Sequence, residues 1–123
     1  MIEQTKQHIH SFKNAIDGFM WILATQRNFK IHLTLSFISI LAGFILAISF
    51  EEFLVIMVLI GVGLSIEALN TAIEETIDAI HKEWNPAIKI AKDTSAAAML
   101  IFSIIAFTVA CVIFIPKIIR YLF

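Results

Sequence analysis

Glu67, Asn70, Glu74 and Asp78 recur at i, i+3, i+7 and i+11. At about 100° per residue of α-helix they fall within about 80° of arc and form one stripe. Three carboxylates on one face repel one another unless positive charge is shared among them. Lys89 and Lys92, three residues apart and followed by Asp93, offer part of that charge. A divalent cation would offer more, because carboxylate, water and phosphate oxygens are the usual surroundings of Mg²⁺. Such a set could hold the phosphate tail of a nucleotide and serve phosphoryl transfer, where positioning and charge neutralisation do most of the work. The alternative is passive: Asn70 and the acids glue helices together or bind cations without chemistry.

With only Gly18, Gly43, Gly61 and Gly63, no G-x-x-x-x-G-K-[ST] loop can be written. The Gly-rich loop of protein kinases and its partner motifs are also absent. Nucleotide chemistry here therefore needs another scaffold, and composition says which kind. Of 123 residues, 59% are hydrophobic and 15% charged, with a mean hydropathy of +0.89. Soluble domains carry about a quarter charged residues, so the excess argues against a soluble monomer and against a disordered chain. One cysteine excludes an intrachain disulfide. A net charge of -1 excludes bulk attraction to nucleic acid.

Ile31 to Phe50 and Ala96 to Ile115 are each twenty residues without Asp, Glu, Lys or Arg. At about 1.5 Å per residue, each matches a hydrocarbon core of about 30 Å. A third span enters near Phe53 and leaves near Glu74, with an unusually polar inner portion. Glu67 would lie about 21 Å across the core and Glu74 at its far interface. Buried acids normally face a bundle interior or a watery cleft.

The first thirty residues carry Lys6, Lys13, Asp17, Arg27 and Lys30 and form neither a signal peptide nor a span. Ile9, Phe12, Ile16, Phe19, Met20 and Leu23 repeat at helical spacing, which predicts an amphipathic helix on a membrane face or against other helices. Trp21 suits an interfacial anchor. Asn85-Pro86 is a helix start, with Asn85 as N-cap. The elements expected are a surface helix over about 1–29 and membrane helices over about 31–50, 53–80 and 86–120, in one domain spanning 1–123. Lys6, Lys13, Arg27, Lys30, Lys82, Lys89 and Lys92 fall on one side, and only Lys117 and Arg120 on the other. That asymmetry places the N-terminus in the cytoplasm.

Glu67-Ala68-Leu69-Asn70-Thr71-Ala72-Ile73-Glu74, then Asp78, then Ala91-Lys92-Asp93 with Ala96-Ala97-Ala98, resembles the bacterial diacylglycerol kinase/undecaprenol kinase family. Arg27-Asn28-Phe29-Lys30-Ile31-His32 and Ile113-Phe114-Ile115-Pro116-Lys117 are similar to its Gram-positive branch, usually undecaprenol kinases. The resemblance covers almost the whole chain. It implies an all-α integral membrane lipid kinase of the bacterial plasma membrane, using ATP and Mg²⁺. Three transmembrane helices and an N-terminal surface helix per subunit would be completed by assembly into a homotrimer with shared active sites. By position, Glu67 resembles the catalytic base that takes the lipid hydroxyl proton, and Asn70 belongs to the same motif. Glu74 resembles the metal-binding carboxylate, Lys92 and Asp93 resemble nucleotide contacts, and Asp78 is a supporting acid. Glu83-Trp84-Asn85 occupies a nucleotide loop but matches weakly.

One position departs from the pattern. Gln26 stands where the family has a glutamate that helps bind metal. An amide offers one neutral oxygen and no charge, so metal affinity should fall. The substrate expected is undecaprenol, with diacylglycerol as runner-up. A non-catalytic membrane adaptor is the rival from another class, and a small ion channel a weaker one.

Other residues receive plainer roles. His8 and His10 are alternate residues of the N-terminal segment, not a metal pair. His32 is read as an interfacial polar residue and His81 as a solvated helix end. Cys111 is an inert packed thiol. Gly61-Val62-Gly63 is expected to permit close helix approach.

Overall fold

The computed structural model describes residues 2–81 and 83–123, with the Ile2 side chain left aside. Lys82, counted above among the cytoplasmic cations, lies outside the described residues. Four helices follow in order: α1 (Ile2–Thr25), α2 (Arg27–Ile45), α3 (Phe50–Ile80) and α4 (Pro86–Leu122). No strand occurs among the described residues. The last three helices are long and apolar enough to cross a membrane.

The helix ends follow from local chemistry. Gln26 is extended (φ −90°, ψ 115°) and separates α1 from α2, so Arg27–Lys30 open the first span instead of closing the surface helix. Leu46 caps α2, and Ala47 takes a left-handed φ of 47°. Ile48 N–H then donates to Gly43 and Ala47 N–H to Phe44, the paired bonds of a Schellman ending. Ser49 accepts from Glu52 N–H while Glu52 accepts from Ser49 N–H, a capping box that starts α3. These two signals place a tight turn inside the apolar run, so the first span ends at Ile45 and the next begins at Phe50 rather than near Phe53. Asn85 caps α4 by accepting from Ala87 N–H, with Pro86 inside the first turn. Pro116 lies within α4, which continues to Leu122.

α3 is the middle helix. Gln26 on α2 meets Glu75, and Gly43 meets the α2–α3 turn beside Phe53, so α2 and α3 run antiparallel. Lys92 meets Asp78 at one end of the α3–α4 pair, and Lys117 meets Glu52 at 3.0 Å at the other. Gly63 seats the Phe102 ring: a Cβ there would lie 2.5 Å from it. Gly61 meets nothing comparable, so only one of the two glycines serves helix approach within this chain. α1 docks through Phe19, edge-on to the buried Phe29 with ring centroids 5.8 Å apart. Its Ile9, Phe12 and Ile16 remain exposed. The spans likewise expose Phe37, Val58 and Phe107, as helices solvated by lipid do.

Candidate active site

The buried polar residues gather on one stretch of α3. Glu67, Asn70 and Thr71 are 3%, 7% and 4% exposed, in a bundle whose outer surface is almost entirely apolar. Such groups are costly in hydrocarbon unless partnered. Asn70 is held from both sides: Ser95 of α4 donates to its Oδ1 at 2.6 Å, and its Nδ2 donates to Glu74 Oε1 at 3.3 Å. The amide thus carries order from α4 to the half-buried Glu74 carboxylate. Glu67, two turns deeper, faces His32 of α2, Nε2 to Oε2 at 3.9 Å.

Nearer the helix ends the site becomes open and charged. Lys92 donates to Asp78 Oδ1 at 2.6 Å across α3 and α4. It precedes the apolar run of α4, and the Asp78 carboxylate holds its ammonium above the usual lysine range. Asp93 is not brought to the stripe: it pairs with Lys89 along its own helix, both exposed. Gln26 reaches α3, but its Nε2 donates to Glu75 Oε1 at 3.2 Å. As N-cap of α2 its side chain makes no capping bond.

Asn70 and Asp78 therefore meet Ser95 and Lys92 across the α3–α4 seam, with Glu74 held by Asn70, while Glu67 of the same stripe faces α2. Three contributors escaped the sequence reading. Glu75 sits about 80° from Glu67 around the helix, off the stripe and toward α2. Ser95 adjoins the Lys92-Asp93 pair and carried no signal of its own. His32 was read as an interfacial residue, and only the register of α2 on α3 brings it to Glu67.

Glu74, Glu75 and the Gln26 amide offer hard oxygen donors at the mouth of this cleft. Among the described residues no three His, Cys, Asp or Glu side chains converge to form a closed cage.

The helical bundle thus carries a carboxylate stripe from its core to a charged mouth. The profile of the prokaryotic diacylglycerol kinases matches residues 13–114, and the chain belongs to that family of membrane lipid kinases. An undecaprenol kinase of Bacillus subtilis is 38% identical over 107 residues, covering 87% of each chain. A diacylglycerol kinase of Synechocystis is 33% identical over 107 residues, covering 86% of this chain and 61% of its own. A diacylglycerol kinase of Pseudomonas aeruginosa is 28% identical over 96 residues, 78% of each.

Proposed function

We propose that the chain transfers the γ-phosphoryl group of ATP to a membrane lipid alcohol, most simply undecaprenol, at the cytoplasmic face of a bacterial plasma membrane. The observation that carries this is Glu67: a carboxylate buried at membrane depth, on the same helix face as a Glu74 carboxylate held by Asn70 at the aqueous mouth. One face so built can meet a hydroxyl from the lipid side and a nucleotide from the water side.

Glu67 would take the hydroxyl proton as the alcohol oxygen forms its bond to the γ-phosphorus. The bond from that phosphorus to the β-γ bridging oxygen breaks, and ADP leaves. Lys92, now paired with Asp78, would turn to the phosphates and balance their charge. Glu74, with Glu75 and Gln26 beside it, would hold Mg²⁺, which when bound neutralises phosphate charge. Asp93 would assist from the nucleotide side once released from Lys89. All 123 residues would form one domain. The N-terminus would be cytoplasmic, and three copies would complete the enzyme as a homotrimer; the supports are the lysine asymmetry and the family resemblance.

Undecaprenol is preferred because the relative so named covers 87% of each chain. Diacylglycerol is the second reading, favoured by the names of the other two relatives. Purified protein in nanodiscs, given labelled ATP and a bacterial lipid extract, should label polyprenyl phosphate. Labelled phosphatidic acid instead would select the second reading, and no labelled lipid would sink both.

A further inference from the structure

His32 has no part in the chemistry above, yet it faces the Glu67 carboxylate. It projects from the second turn of α2 and places Nε2 3.9 Å from Glu67 Oε2. That distance is too long for a hydrogen bond. Among the described residues no other Lys, Arg or His nitrogen forms an ion pair with this carboxylate. A single oxygen atom about 2.8 Å from each would bridge the two groups, as ordered water does elsewhere. Such an oxygen would sit to one side of the N···O line, with the two contacts at about 90° to each other.

The same His32 lies at the end nearest Glu67 of a cavity of about 260 Å³ between α2, α3 and α4. Leu35, Ile60, Gly63, Phe102 and Phe107 are among its walls, and no Asp, Glu, Lys or Arg lines it. A nucleotide would find no charged partner there, whereas a hydrocarbon chain needs none. The cavity therefore continues from a place for a hydroxyl into a place for what a lipid hydroxyl is attached to.

We propose that His32 is a substrate-binding residue: with Glu67 it clamps the alcohol oxygen, and the cavity receives the first stretch of the attached chain. His32 N–H donates to one lone pair of that oxygen while the hydroxyl proton points to Glu67. The second lone pair is left to face the phosphorus. The inference deepens the lipid-kinase reading and rests on it.

The test compares native protein, His32→Leu, His32→Gln and Gly63→Ala in identical nanodiscs, with ATP and either a long polyprenol or a short prenol. Loss of one hydrogen bond to substrate should make kcat/KM for the alcohol about tenfold lower in His32→Leu, with KM for ATP and assembly unchanged. His32→Gln, which keeps an N–H, should recover most of that loss. Gly63→Ala drives the Phe102 ring from its seat and should raise KM for the long alcohol more than for the short one. Unchanged kinetics in His32→Leu, or equal losses in both His32 variants with weakened ATP binding or assembly, would overturn the clamp. Equal effects of Gly63→Ala on both alcohols would remove the cavity's role. A native protein inactive on every lipid alcohol would defeat the underlying reading itself. An active native protein indifferent to His32→Leu defeats the clamp alone.

Discussion

Ser95 of α4 donates a 2.6 Å hydrogen bond to Asn70 of α3, and it does so from two residues beyond the Lys89–Asp93 pair. Because Asn70 is 7% exposed, the bond is the one that fixes which way its amide faces and hence what Glu74 receives. Ser95→Ala should leave a buried carbonyl oxygen without its donor, at a cost of about 1–3 kcal/mol. A lowered melting temperature together with a several-fold loss of phosphorylation rate is expected. A rate loss without any change in melting would separate orientation from stability.

Glu67→Gln keeps the volume and removes the base. General-base contributions are about 10²–10⁴-fold, so turnover should fall by about that factor while KM for ATP stays near the native value. Kinetics with saturating lipid give both constants. A Glu67→Gln enzyme with native turnover would exclude the base role.

Lys92 and Asp78 share an ion pair, which on the proposed function nucleotide would open. Lys92→Ala should raise KM for ATP about tenfold, the effect of one charge-assisted contact. Asp78→Asn, which frees the ammonium, should instead leave KM for ATP equal or lower. Equal damage from both substitutions would mark the pair as structural only.

Gln26 and Glu75 make a contact that a second carboxylate would turn repulsive. Gln26→Glu should therefore melt at a lower temperature without metal and show a larger gain on adding Mg²⁺ than the native chain. Turnover at limiting Mg²⁺ should rise. Identical Mg²⁺ dependence of melting and rate in the two proteins would remove position 26 from metal binding.

At the opposite end of the bundle, Ala47 adopts φ 47° where glycine is at ease. Ala47→Gly should stabilise the α2–α3 turn by about 1 kcal/mol. Ser49→Ala, losing its half of the capping box, should destabilise it by about the same amount. Neither should alter kcat, because both lie a membrane's width from Glu74. Melting curves and turnover on the same preparations check both.

Much of this was legible from the chain. The two uncharged runs announced their spans, Asn85-Pro86 announced the start of α4, and the spacing from Glu67 to Asp78 announced one face. These are local signals, set by composition and helical period. The α2–α3 turn was misplaced by several residues because the apolar run continues unbroken through Leu46-Ala47-Ile48; only hydrogen bonding by Ser49 and Glu52 marks the stop. Glu75, Ser95 and His32 were hidden for a different reason. Each acts through a partner on another helix, and no periodicity within one helix encodes which neighbour it will face. Gln26 shows both cases: its departure from the family pattern was visible, but its choice of Glu75 required the packed register of α2 on α3.

The Glu52–Lys117 and Asp78–Lys92 pairs fasten α3 to α4 at both ends. Closed together, the two pairs resist sliding of the helices, and within α3 Glu67 lies about 22 Å along the axis from Glu52, fifteen residues away. That makes the protein a ruler. A bilayer thicker or thinner than the ruler is met by tilting the whole bundle, which carries the buried carboxylate toward or away from the headgroup plane. On the proposed function, turnover should then vary between nanodiscs of shorter and longer acyl chains.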